Sequence, residues 1–268
     1  MQVNLTNRWL LSAFLAVSVF SCQNTHTKSE SNKSHKASKL TPSLTLNTIY
    51  KDKAFESEKI GRIRWLKDGS GYTSIEDSKA TRINDANKEE SIGKDIVIYD
   101  PKTLARKVLI SAAQLTPKGK DEPLEIDNYL WSDDRQQLLI YTNSKKVWRS
   151  NSRGDYWVLN LVKNTLIQLG GKKVRESSLM FAKFSADGKS VAYVLDNNIY
   201  VQTLAEHHIE QLTFDAGNGI INGLFDWVYE EEFGIKDGFR WSPDGKKIAY
   251  WQLDTSGSKD FTMINNTD

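Results

Sequence analysis

The chain has 268 residues, enough for one or two domains, and its 39% hydrophobic and 26% charged residues describe an ordinary globular protein. With 36 Lys and Arg against 34 Asp and Glu, the net charge of +2 is too small to argue for nucleic acid or an acidic surface as partner. Cys22 is the only cysteine, so no disulfide forms within the chain and the core must hold the fold.

Arg8 and the 12-residue apolar run Trp9 to Phe20 open the sequence. The run is too short to span a bilayer as a helix and right for the core of a signal peptide, which is expected over residues 1–21. Val19-Phe20-Ser21-Cys22 then looks like the lipobox of bacterial lipoproteins, in which the cysteine is lipidated and becomes the mature N-terminus. That resemblance implies an exported lipoprotein, anchored to a membrane through Cys22 on the periplasmic side or the cell surface. Residues 22–40 are mostly Ser, Thr, Asn, Lys and His, too polar to bury a core, and are expected to be a disordered tether. Residues 41–59 lead into a folded part expected to span 60–268.

That part is organised by repeats. Trp131-Ser132-Asp133-Asp134 leads into Leu138-Leu139-Ile140-Tyr141, Phe184-Ser185-Ala186-Asp187-Gly188 into Val191-Ala192-Tyr193-Val194, and Trp241-Ser242-Pro243-Asp244-Gly245 into Ile248-Ala249-Tyr250-Trp251. Trp65-Leu66-Lys67-Asp68-Gly69 is a weaker copy. Each reads as an aromatic strand end, a tight turn suited to positive φ, and a β-rich strand. A second hairpin follows the earlier copies: Ile96–Tyr99 into Lys107–Ile110, Tyr156–Asn160 into Leu166–Leu169, and Ile199–Gln202 into Ile209–Thr213. The anchors Trp131, Phe184 and Trp241 lie 53 and 57 residues apart, longer than the commonest propeller repeat, so loops must be inserted. The expected fold is all-β: an incomplete β-propeller of about four four-stranded antiparallel blades, the last cut short, as a fragment of a larger propeller. One short helical turn is expected near Tyr229 to Phe233.

No Gly-x-Ser-x-Gly nucleophile elbow occurs, and no catalytic residue is expected in this stretch. His207 and His208 are adjacent in what reads as an interstrand loop, which does not make a metal site. Gly170-Gly171-Lys172-Lys173 lacks the spacing of a phosphate loop and reads as a turn, as does Arg153-Gly154-Asp155 before the Tyr156 strand. No cofactor and no metal are expected.

One segment stands out. Asp226-Trp227-Val228-Tyr229-Glu230-Glu231-Glu232-Phe233 sets three carboxylates among aromatic residues. Rings packed on either side would fix the carboxylates, and a fixed pair suits an ammonium, which offers three donors and a positive charge. Neighbouring carboxylates resist joint ionisation unless a cation balances them, and Arg149 of Trp148-Arg149 is the obvious one. The plainer alternative is a solvated acidic turn.

The Asp226–Phe233 segment, Trp148-Arg149, the Trp241–Gly245 repeat and the lead-in Leu44-Thr45-Leu46-Asn47-Thr48-Ile49-Tyr50 together resemble the N-terminal propeller of the dipeptidyl peptidase IV family of serine peptidases. The resemblance runs from about residue 43 to 268. It implies that Glu231 and Glu232 bind the free N-terminal amine of a peptide substrate and that Arg149 holds a backbone carbonyl. The partner it implies is a C-terminal α/β-hydrolase domain, absent from this stretch, that supplies the catalytic Ser, Asp and His. The parent protein would release N-terminal dipeptides after proline or alanine, and a homodimer is among the assemblies the resemblance allows. A non-catalytic peptide-binding propeller, or an inactive homologue, is the alternative.

Overall fold

The computed structural model describes residues 43–57, 61–259 and 261–265. Residues 1–21, Cys22 and the segment 22–40 lie outside them. The chain divides into two compact units, residues 1–58 and 59–268. In the first, Asn47–Lys51 forms one π-helical turn, with the hydroxyl of Thr45, just ahead of it, bonded to that of Thr48 within it.

The second unit is built from antiparallel sheets. Its first blade comprises β1 (Arg64–Trp65) and β2 (Tyr72–Asp77), then, after a small inserted hairpin of β3 (Thr81–Ile83) and β4 (Glu89–Ser91), β5 (Lys94–Tyr99) and β6 (Arg106–Ile110). The second blade is β7 (Asn128–Trp131), β8 (Gln137–Lys146), β9 (Asn151–Asn160) and β10 (Thr165–Gln168). The third is β11 (Met180–Phe184), β12 (Ser190–Leu195), β13 (Asn198–Thr203) and β14 (Ile209–Gln211). In each, strands neighbouring in sequence are neighbours in the sheet, apart from the inserted hairpin, and the first is the innermost.

The fourth unit departs from this plan. β15 (Ile220–Asn222) pairs with β18 (Gln252–Asp254), and β16 (Phe239–Trp241) pairs with β17 (Ile248–Tyr250). β17 and β18 are two halves of one run broken at Trp251, so β15 and β16 are two halves of a split inner strand. Residues 223–238 leave the sheet between the halves and carry a helix, α1 (Trp227–Phe233). Gly223 N–H donates to the Trp251 carbonyl, Trp251 N–H to Gly238, and Gly238 N–H to Gly223, closing the foot of the excursion.

The alternation of side chains along each strand explains the stacking of the blades. Leu138 and Ile140 of β8, with Tyr129 of β7, face Ile96 and Ile110 of the first blade, while Leu139 faces Val191 and Tyr193 of the third. Ala192 and Val194 of β12 then pack on Leu224 and Phe239 of the fourth unit. Both faces of the middle sheets are therefore buried, which is why their strands read as nearly continuous apolar runs. Among the described residues no such buried cluster joins the fourth unit to the first.

The repeated turns owe their sequence to hydrogen bonding. Ser132, Ser185 and Ser242 each donate a hydroxyl to the aspartate two residues on, at 2.6, 2.7 and 2.5 Å. The same aspartates, Asp134, Asp187 and Asp244, accept the N–H of Gln136, Lys189 and Lys246. The serine hydroxyl above all holds each carboxyl below the usual range.

Arg153-Gly154-Asp155 is not the turn expected from the sequence. It lies inside β9, because the Tyr141 hydroxyl donates to the carbonyls of Asn151 and Arg153 and keeps that backbone extended along β8. Asp155 points inward and accepts from Ser177 N–H at 2.7 Å and Asn143 Nδ2 at 2.8 Å. The β8–β9 hairpin is therefore longer than its neighbours, with ten residues in each strand against six in β12 and β13. His207 and His208 are exposed in the β13–β14 loop.

Candidate functional site for a peptide amine

Two excursions build the site. The first is the turn of the long β8–β9 hairpin, closed by Val147 N–H donating to the Ser150 carbonyl at 3.0 Å, which presents Trp148, Arg149 and Ser150. The second is α1. Its N-cap, Asp226, accepts the N–H of Tyr229 at 3.2 Å, and Gly234, in the left-handed conformation, ends it. The cap explains why the acidic run forms a helix although a seven-residue helix has little stability of its own.

Tyr229 anchors α1 by packing on Phe225 at 4.8 Å between ring centroids, and Phe225 in turn meets Trp251 at 5.7 Å. Phe233, although 66% exposed, meets the Tyr229 ring at 5.8 Å between centroids, whereas Trp227 is 50% exposed, so the rings expected beside the carboxylates are Tyr229 and Phe233 rather than Trp227. One face of a short helix can reach the sheet, and Tyr229 occupies it.

Successive helical residues are turned about 100° apart, and the three glutamates meet three environments. Glu230 is buried and accepts the Ser150 hydroxyl at 2.8 Å. Glu231 receives both arms of the Arg149 guanidinium, Nε to Oε2 and Nη2 to Oε1. Glu232 is exposed and has no polar partner among the described residues. Arg149 and Glu231 are 82 positions apart, so local structure does not explain the pairing. The Glu231 side chain is 18% exposed and that of Arg149 74%. The hydrogen bonds that Arg149 donates to Glu231, and then the charge of Glu231, hold the Arg149 pKa above its ordinary value.

This arrangement leaves groups free among the described residues. Glu232, the next residue on α1, is exposed, and Arg149 Nη1 has no partner while Nε and Nη2 grip Glu231. A cationic donor placed between Glu231 and Glu232 would find acceptors on both, and a carbonyl beside it could accept from Arg149. The structure thus brings Arg149 and Glu231 together and leaves Glu232 alongside. Ser150 and Glu230 were not legible as a brace. The two glycines flanking the acidic run, Gly223 and Gly238, are the sequence feature that could have marked the excursion. No group of His, Cys, Asp and Glu among the described residues could hold a metal ion.

Comparison with known proteins agrees with this architecture. Dipeptidyl aminopeptidase B of Saccharomyces cerevisiae is 28% identical over 207 residues, which cover 76% of this chain and 23% of that protein. The crystal structure of Porphyromonas gingivalis dipeptidyl peptidase 4 superimposes with a TM-score of 0.64 at 27% identity, covering 84% of this chain and 30% of that one. The chain thus spans less than a third of either relative. Residues 132–268, which include the long hairpin and the whole α1 excursion, match the family described as dipeptidyl peptidase IV (DPP IV) N-terminal region. The chain belongs to that family.

Proposed function

We propose that this chain is the substrate-anchoring propeller of an exported serine dipeptidyl peptidase, with Glu231 and Glu232 gripping the free N-terminal amine of a peptide. Arg149 orients Glu231 and offers its remaining donor to a substrate carbonyl. Anchoring the amine fixes how far the chain reaches, so that the bond after the second residue, with proline or alanine before it, meets a serine nucleophile on an α/β-hydrolase domain of the same protein. Binding energy is spent on position. Export and lipid attachment at Cys22 belong to the same proposal, and replacing Cys22 by Ser should release the protein from membranes.

The observation that carries the reading is the Arg149–Glu231 fork, formed by two excursions from different blades. A solvated acidic turn would not recruit a guanidinium from 82 residues away. In the full-length protein, Glu231→Ala and Glu232→Ala should each lower kcat/KM for free-amine substrates roughly ten- to hundredfold, the worth of a charge-assisted hydrogen bond. Acetylating the substrate amine should cost the wild type at least as much and the double variant little more. Strong discrimination against acetylated substrate by the double variant would reject the glutamates as the anchor.

A further inference from the structure

The inner strands of all four units border a cavity of about 740 Å³. Its wall carries four cations, Arg64, Lys183, Lys236 and Arg240, against one carboxylate, Asp237. Asp237 is shared: Lys183 Nζ lies 2.5 Å from Oδ1 and Arg240 Nη1 2.9 Å from Oδ2. Lys183 is otherwise held by neutral groups, the Phe239 carbonyl at 2.8 Å and the Phe239 ring centroid at 3.6 Å. Among the described residues Arg64 also meets only neutral partners: it donates to the Tyr129 carbonyl and Asn128 Oδ1, and its guanidinium carbon sits 4.2 Å from the Tyr129 ring centroid. Lys236 makes no ion pair among the described residues.

The wall is thus left with a net charge of +3 in a concave, partly desolvated space, where potentials are focused and screening is weak. Burial pushes the Lys183 amine down to about 8 despite its carboxylate partner, a sign that its positive charge is under-compensated. The cavity also adjoins the amine site. Asn151 and Ser152, which follow the Arg149 turn, line it, as do Lys236 and Asp237 at the foot of the α1 excursion.

We infer that this cavity receives a carboxylate carried by the peptide beyond its N-terminal dipeptide, either an acidic side chain or the free C-terminus of a short peptide. The inference rests on the amine-anchor reading for the direction in which the peptide lies. An anionic group there gains the attraction of four cations and supplies the missing countercharge.

The test uses this 268-residue chain and calorimetric binding of three peptides, each with a free and an acetylated N-terminus. They are Ala-Pro-Glu-Glu amide, Ala-Pro-Gln-Gln amide and Ala-Pro-Gln-Gln with a free C-terminus. With free amines at low salt, the Glu-Glu peptide should bind roughly tenfold more tightly than the Gln-Gln amide, the advantage shrinking as salt is raised. A gain in the Gln-Gln free acid assigns the C-terminus as a source of the carboxylate, and a gain confined to Glu-Glu assigns the side chain. The double variant Lys236→Glu, Arg240→Gln should lose the preference. Lys236→Glu alone should diminish it, should the double variant not fold. Equal binding of all three peptides by the wild type, or an undiminished preference in these variants, overturns the assignment. The two readings separate cleanly: loss of binding on acetylation with no acid preference leaves the amine anchor and removes the cavity, and acid preference without an acetylation effect does the reverse.

Discussion

The two ends of β8 follow different rules. At its start the turn 132–137 is one of a series, and the serine and aspartate within it satisfy each other and the turn's own amides. At its end the turn bearing Arg149 and Ser150 outgrows its neighbours and finds its polar partners some eighty residues away, on α1. The first end is locally self-sufficient and needs only its own six residues. The second is specified by the meeting of two excursions from different blades. A repeated scaffold thus carries one non-repeated site, where sequence-distant segments meet.

The comparison breaks most sharply at the foot of the α1 excursion. A Cβ on Gly238 would lie 2.9 Å from Leu224 N and 3.0 Å from the Gly223 carbonyl carbon, both backbone atoms with little room to yield. Gly238→Ala should therefore cost about 3 kcal/mol in urea unfolding, the upper range for overpacking, and should weaken binding of free-amine peptides. The same change at Gly257, where a Cβ would meet nothing within 4 Å, should cost little. Equal costs at the two glycines would mean that the excursion is not held at its foot.

Lys183 ties the third blade to that foot through Asp237, and its depressed pKa sets a pH dependence. Between about 8 in the folded protein and an ordinary value near 10.5, the unfolded chain binds the extra proton, so stability rises with pH through this window. Below it, the charged amine carries its full burial penalty. From pH 7 to 9.5 the wild type should gain about 2 kcal/mol relative to Lys183→Met, in which Asp237 keeps Arg240 as partner. Denaturant unfolding of both proteins at the two pH values checks this. Parallel pH profiles would show that Lys183 titrates as if exposed.

What could be read from the sequence divides along the same line. The repeated Ser-x-Asp turns and the strands after them were legible because each depends on neighbours in sequence. The short helix was visible because adjacent glutamates on a strand would point apart. Charge balance pointed to Arg149 as the cation for the acidic run, but it did not say which of the three glutamates the guanidinium grips. The inserted β3–β4 hairpin, the splitting of the fourth inner strand and the Ser150–Glu230 brace were not legible. Each depends on which distant backbone lies alongside. Arg153-Gly154-Asp155 was misread for a related reason: turn-prone residues were held extended by Tyr141, whose hydroxyl reaches across the hairpin.

The self-sufficient end should show smaller effects. Asp187→Ala removes the acceptor of the Ser185 hydroxyl and of Lys189 N–H, two bonds at a half-exposed turn. About 1 kcal/mol is expected, as for loss of a helix N-cap, with no change in peptide binding. Loss of peptide binding together with stability would show that the two ends of the blades are coupled after all.

The smallest effect is expected at Arg135, which stands where the other repeats carry Gly69, Gly188 and Gly245. Its φ of 57° matches their 68–69°, so a residue with a Cβ has been placed in a left-handed turn position. Arg135→Gly relieves roughly 1 kcal/mol of that strain, while the freer unfolded chain takes back roughly 0.5–1 kcal/mol. The variant also loses the ion pair of Arg135 with Asp68 of the first blade, 2.9 Å long with both side chains about half exposed, and such pairs contribute little. Asp68 is held down at about 2 chiefly by Ser70, through its hydroxyl and then its amide, with Arg135 a lesser cause. The net change should lie within about 0.5 kcal/mol of zero, moving in favour of the variant in roughly 1 M salt, where the pair is screened. Unfolding curves of both proteins at low and high salt measure it. A loss well above 1 kcal/mol at both would mean that contacts between successive turns, rather than the serine and aspartate inside each one, stabilise that end of the blades.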